Sequence, residues 1–242
     1  MNEHTLTRRT DEPLSFVIRD SADGRPWWWY LNLNSEPLCL LGNRCGTCAA
    51  IFAYVRDTRL ALAPEILSAK LNAGLAVITR EVTDTVAALL PQGAYLVGII
   101  TVTPILVHAA QKAWDIGCDA PYFWIANMQR AKSYAQYELL LPLIPESILD
   151  AAQIDSYRAV FRQGQAPTVL ALSLVDARAV NNEYGETALA HLILDGHHKL
   201  MAASLEGQSI TLLSFLNVDA STGEISTQIR NRYQSDIPAS DA

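Results

Sequence analysis

The apolar positions of this chain fall in short blocks set between polar turns, and their spacing changes along its length. Ser15 to Arg19 and Trp27 to Leu33 are rich in aromatic and β-branched residues and flank Asp23-Gly24, which predicts strands joined by a turn. Tyr95 to Val102, Thr168 to Val175, Leu189 to Leu194 and Ile210 to Val218 are denser apolar runs, the pattern of buried strands. Helical signals alternate with them. Pro64 to Ala73 opens on a proline and stops at Gly74, and Thr83 to Leu90 starts at Thr83 or an upstream cap and ends at Pro91-Gln92-Gly93. Ile154 to Gln163 ends at Gly164, and Gly196 to Glu206 closes at Gly207. Residues 49–57 fit a strand or a short helix. Residues 111–140 carry mixed helical patterning, which predicts a helix over Ala126 to Leu141 before Pro142 and Pro145 interrupt it. Pro145 to Leu149 reads as a helix start and Asp176 to Glu186 as a polar loop. The polar ends, residues 1–13 and the tail from Asp219, are expected to be loosely held.

Interleaved strands and helices predict an α+β protein: a small mixed sheet with helices in the C-terminal half, extended by an N-terminal α/β region. The patterning changes near residues 120–142, so the regions divide as 1–130 and 131–242. At 242 residues, half of them apolar, the chain has material for an ample core. Its net charge of -7 argues against non-specific binding to nucleic acid or acidic lipid. The longest apolar stretch, Ala94 to Ala110, is broken by Gly98, Thr101, Thr103, Pro104 and His108, which argues against a membrane span. No secretory signal opens the chain, so the cytoplasm is the expected location. The oligomeric state stays open.

The chemistry concentrates at Asp195-Gly196-His197-His198-Lys199, where an apolar run stops at a turn and a helix begins. An acidic residue at a helix start is ordinary, because its carboxylate accepts orphan N–H groups. Cations there are not, since they oppose the helix dipole by a few tenths to about 1 kcal/mol. A bound anion would remove the conflict. The competing account is architectural: Asp195 caps, one histidine packs, the other is solvated and Lys199 lies in water. Alternation along the strand places His191 on the face of Ile193 and Asp195, toward or away from the same spot.

The order of elements around this motif resembles the ParB/sulfiredoxin superfamily over roughly residues 140–218. The matching parts are a helix (Ile154 to Gln163), the turn Gly164-Gln165-Ala166-Pro167, two strands (Thr168 to Leu174 and Ala190 to Leu194), the motif with its helix, Gly207 and a last strand (Ile210 to Phe215). In that group a glycine turn followed by basic residues contacts nucleotide phosphates. His197 stands where sulfiredoxins carry a catalytic cysteine, which argues against sulfinic acid reduction. Chromosome-partitioning members carry Glu-Arg-Arg after the glycine and continue into DNA-binding modules; this chain has His197-His198-Lys199 and is acidic. The resemblance is to the branch with Asp-Gly-His-His-Arg/Lys, which includes free-serine kinases. It implies an intracellular nucleotide- or phosphate-binding protein, with ATP or ADP and magnesium as cofactors and phosphoryl transfer to a small hydroxylated metabolite as the activity. Gly196, His198 and Lys199 would hold the phosphates, and Asp195, His197 and His198 would be the catalytic set. Glu146, Glu183 and Glu186 are candidates for a general base. The alternative is a non-enzymatic binding or regulatory module. The partner in either case is a small-molecule ligand, with no nucleic acid and no membrane.

A second constellation is Cys39 with Cys45-Gly46-Thr47-Cys48. A Cys-x-x-Cys pair on a glycine turn suits zinc, with Cys39 as a third ligand and Cys118, His108 or another chain completing the set. A reversible disulfide and simple burial are the other accounts. Three adjacent tryptophans, Trp27, Trp28 and Trp29, must point to both faces of a strand, so they pack between layers or place one ring at a rim. Arg158 and Arg162 share a helix face, either toward phosphate or as a solvated stripe.

Overall fold

Strands from both halves of the chain share one large sheet in the computed structural model, which describes residues 4–6, 13–20, 26–42, 51–54, 64–108, 122–131, 134–177 and 185–233. In chain order the first part holds β1 (His4–Leu6), β2 (Leu14–Asp20), β3 (Pro26–Leu33), β4 (Glu36–Gly42), β5 (Ile51–Tyr54), α1 (Glu65–Ala73) and α2 (Arg80–Ala87). Four strands follow: β6 (Gly93–Val102), β7 (Ile105–His108), β8 (Tyr122–Ala131) and β9 (Tyr134–Pro142). The last part holds α3 (Ala151–Arg162), β10 (Thr168–Ala177), β11 (Gly185–Asp195), α4 (His197–Glu206), β12 (Ile210–Asn217) and α5 (Thr227–Arg232). The large sheet runs β1-β6-β12-β10-β11-β9-β8-β7, and the smaller one runs β2-β3-β4-β5. Pairs β10–β12 and β9–β11 are parallel; the other neighbours are antiparallel. The fold is α+β.

Both faces of the large sheet are covered, which is why its central strands read as nearly continuous apolar runs. In β10, Val169, Ala171 and Val175 face the layer of α3, α4 and α5, where they pack with Phe161, Leu200, Met201 and Ile229. Leu170, Leu172 and Leu174 face the other way, into a cluster with Leu67 and Leu71 of α1, Val82 and Val86 of α2, and Leu14, Leu31, Leu38 and Cys39 of the smaller sheet. No described helix is long and apolar enough to cross a membrane.

Three predicted elements differ. The helix expected over Ala126 to Leu141 is the β8–β9 hairpin, whose strands meet at Ala131 and Tyr134. Tyr122, Phe123 and Trp124 are consecutively buried, as are Leu139, Leu140 and Leu141, because each strand is enclosed on both faces. Such a run has no period, and periodicity alone does not separate it from a buried helix. That hairpin also spans the division at residues 130 and 131, so both regions contribute to one sheet. Second, α2 begins at Arg80, with the Thr79 hydroxyl accepting from the Val82 N–H at 3.3 Å. Third, the tail beyond Asp219 is fastened: Asp219 accepts from the Ala94 N–H at 2.9 Å, Ser226 caps α5, and Ile229 and Tyr233 are buried. The turn at Asp23-Gly24, Cys45, Cys48, Cys118 and Glu183 lie outside the described residues.

Candidate functional site at the β11–α4 turn

The turn is built as a strand end, a left-handed glycine and a ten-residue helix. Gly196 adopts φ 100° and ψ 22°, a conformation that L side chains rarely take. A Cβ there would also lie 2.9 Å from Val169 Cγ2, so space and backbone both require glycine. The Gly196 carbonyl accepts from the Leu200 N–H at 2.9 Å, which closes the first helical turn. No side chain caps the N-terminus of α4. The N-terminus of α1, at Pro64, likewise has no side-chain cap, whereas α2, α3 and α5 are capped by Thr79, Asp150 and Ser226.

The side chains of the motif turn inward. His197 is buried, and its Nε2 accepts from the Leu143 N–H at 3.0 Å, so the ring carries its proton on Nδ1. Burial, with a smaller push from His198, drives its pKa down to about 3. His198 is half-buried and its Nε2 accepts from the Asp150 N–H at 3.0 Å. Burial lowers its pKa too, against the opposing pull of Asp150 and Asp195. Lys199 is buried; its Nζ donates to the Thr168 carbonyl at 3.0 Å and reaches Asp195 Oδ2 at 3.4 Å. The ammonium also lies 5.9 Å from the centre of the Tyr157 ring. Burial lowers the Lys199 pKa, and Asp195 partly restores it. The expected three cations thus reduce to one ammonium with its own counter-ion. Desolvation and hydrogen bonds accepted at Nε2 keep both imidazoles neutral.

These contacts join three segments. His197 and His198 hold the stretch between β9 and α3, and Lys199 holds the start of β10. Thr168 carries the tie onward, its hydroxyl accepting from the Leu75 N–H at 2.8 Å just beyond α1. No side chain caps the first amides of α4, and beside them the Asp195 carboxylate side chain is 29% exposed.

The other predicted residues lie elsewhere. Arg158 and Arg162 both grip Glu206, each with a contact of 2.6 Å, and clamp α3 to α4. Glu146 sits 3.5 Å from His108. Cys39 is fully buried in β4, and burial pushes its thiol up to about 12, so it is a neutral thiol. Among the described residues no group of three His, Cys, Asp or Glu side chains could hold a metal ion.

His191 lies on the helix-covered face of the sheet, with Leu189 and Ile193, and belongs to a buried polar row that sequence reasoning did not assemble. Its Nδ1 lies 2.7 Å from Ser173 Oγ and its Nε2 lies 3.2 Å from Glu138 Oε1. Ser173 Oγ is 2.6 Å from Ser214 Oγ, which is 2.9 Å from the Tyr233 hydroxyl. Arg232 donates two hydrogen bonds to Glu138, at 2.6 and 3.0 Å. Burial pushes the Glu138 carboxyl up, yet hydrogen bonds from His191 and Arg232 and the Arg232 charge outweigh it and hold the group at about 2. The row crosses β12, β10, β11 and β9 beneath α5. Its signal in the sequence is a polar residue set between apolar neighbours: Ser173 between Leu172 and Leu174, His191 between Ala190 and Leu192, Ser214 between Leu213 and Phe215, and Glu138 between Tyr137 and Leu139.

Compared with family models, curated proteins and solved structures, the chain matches none.

Proposed function

We propose that this chain binds a phosphate-bearing small molecule, of the ATP or ADP type, at the β11–α4 turn. The observation that carries the reading is the N-terminus of α4, which starts on left-handed Gly196 with no side-chain cap. Backbone N–H groups and the positive end of the helix dipole favour an oxyanion there. The phosphate is received by main-chain donors, because His197 and His198 use Nε2 as acceptors within the fold and Lys199 is buried against Thr168 and Asp195. The part-exposed Asp195 carboxylate is a hard oxygen donor of the kind magnesium takes, and it would hold the ion that accompanies a nucleotide. The resemblance to the Asp-Gly-His-His-Arg/Lys branch supports the same ligand class.

The acceptor nitrogen of His197 is engaged with Leu143, so a general base for phosphoryl transfer to a bound hydroxyl would be a carboxylate and not this ring.

The test is titration of the labelled protein with magnesium–ATP, ADP and inorganic phosphate, following the amide resonances of His197, His198 and Lys199. The reading expects these three amides to shift first, and a ligand at a hundred times its Kd to stabilise the fold by about 2.7 kcal/mol. Unmoved amides at millimolar nucleotide and phosphate, with no thermal stabilisation, would overturn it.

A further inference from the structure

The buried row has a direction. Glu138 is a carboxylate held by the Arg232 guanidinium, so it only accepts, and His191 Nε2 must donate to it. In the neutral ring that donates Nε2–H to Glu138, Nδ1 is a lone pair 2.7 Å from Ser173 Oγ, placed to accept the serine proton. Ser173 receives the Ser214 proton, and Ser214 receives that of Tyr233. In that state the hydroxyl protons of Ser173, Ser214 and Tyr233 all point toward His191. Nucleophile, base and orienting carboxylate stand within hydrogen-bond reach in the order an activated serine needs. A sheet face needs no such chain for stability, since apolar residues of similar volume serve as well or better than buried ions.

The cover over the row is thin. α5 is six residues long, and Ile229 is its buried residue, followed by Tyr233. It lies close because Gly98 in β6 has no side chain: a Cβ there would be 2.9 Å from the Tyr233 Cα. A cavity of about 30 Å³, lined by Glu138, Gln136 and Asn127 on the sheet and by Gln228, Ile229 and Arg232 on α5, lies between helix and strands.

We propose that Ser173 is a base-assisted nucleophile kept beneath α5, and that lifting α5 lets it take an acyl group from an activated ester. The Ser173 Oγ–carbon bond forms, the serine proton passes to His191 Nδ1, and the bond from the carbonyl carbon to the alkoxy oxygen breaks. The proton on Nδ1 leaves with the alkoxide as an alcohol. Water then attacks the acyl-serine by the same route and releases the carboxylic acid and free Ser173. This site is separate from the β11–α4 turn, and neither reading depends on the other.

The test treats the full chain with a fluorophosphonate, which forms an Oγ–phosphorus bond as fluoride leaves and the proton passes through His191 to solvent. Labelled peptides are mapped by mass spectrometry, and exchange of the α5 amides is followed in parallel. The expected result is a label on Ser173 whose rate follows the open fraction of α5 and is higher in Tyr233→Ala. In His191→Gln the rate falls by roughly 100-fold. If Tyr233→Ala does not fold, the wild-type protein in sub-denaturing urea gives the same comparison of label against opening. Opening of α5 without label on Ser173, or labelling that ignores His191→Gln, would overturn the proposal.

Discussion

The β11–α4 turn and the row beneath α5 use similar residue types in opposite ways. At the turn, the functional-looking groups are adjacent in sequence, and the fold pulls their side chains apart. His197 goes to Leu143, His198 to Asp150 and Lys199 to Thr168. In the row, Glu138, Ser173, His191 and Ser214 are scattered through the sequence, and the sheet brings them together. Adjacency in the chain therefore marks a helix start that ties segments, whereas adjacency across strands makes a network with a direction. A cluster of residues adjacent in sequence and a cluster adjacent in space are different things.

The comparison breaks most sharply at Arg232. Replacing it with Ala leaves the buried Glu138 carboxylate without its guanidinium, and the expected loss is about 3–5 kcal/mol in urea unfolding. A loss under about 1 kcal/mol would mean that the row does not hold α5. His197→Ala should cost roughly 2–4 kcal/mol, because it opens a void and orphans the Leu143 N–H. If it is silent in the same experiment, the inward role of the motif is wrong.

Acid sharpens the contrast. His197 is neutral in the folded protein with a pKa near 3, and the unfolded ring titrates near 6.5, so unfolded chains take up protons first. Its contribution is complete above about 6.5 and declines as the pH falls toward about 3. The Glu138 contribution, from a carboxyl moved from 4.5 to about 2, is lost in the lower window between those values. Unfolding free energy measured from pH 7 to pH 3 should fall by roughly a few kcal/mol, and less in His197→Gln. The smallest effect is expected from Glu206→Gln, which removes the charge that the surface clamp on Arg158 and Arg162 shares. Calorimetry that finds it as costly as His197→Ala would place the coupling of α3 and α4 at the surface instead of beneath it.

Much of this fold is legible in the residues, where period and punctuation agree. β10, β12 and α4 follow apolar blocks with a glycine or proline at their ends, and their apolar residues lie in the two buried clusters. β8 and β9 were hidden because strands buried on both sides lose the alternation that identifies them. α5 was hidden for another reason: its anchorage is the contact of Tyr233 with Ser214 and of Arg232 with Glu138, and neither partner is near in sequence. At the site, the turn at Gly196 could be read from strand, glycine and helix in order. The inward rotation of its side chains could not, since it depends on where Leu143, Asp150 and Thr168 arrive. His191 was visible as a polar residue in a strand, but its partners are set by the register Ser173–His191 and by the neighbouring β9.

Gly98 ties these events to the order of synthesis. The strand that makes room for Tyr233 is complete long before residues 226–233 leave the ribosome. Until then Glu138 and His191 face water, where an unpaired carboxylate is at no disadvantage. Docking of α5 couples the two events: the guanidinium that compensates the desolvation of Glu138 arrives on the same short helix that expels the solvent.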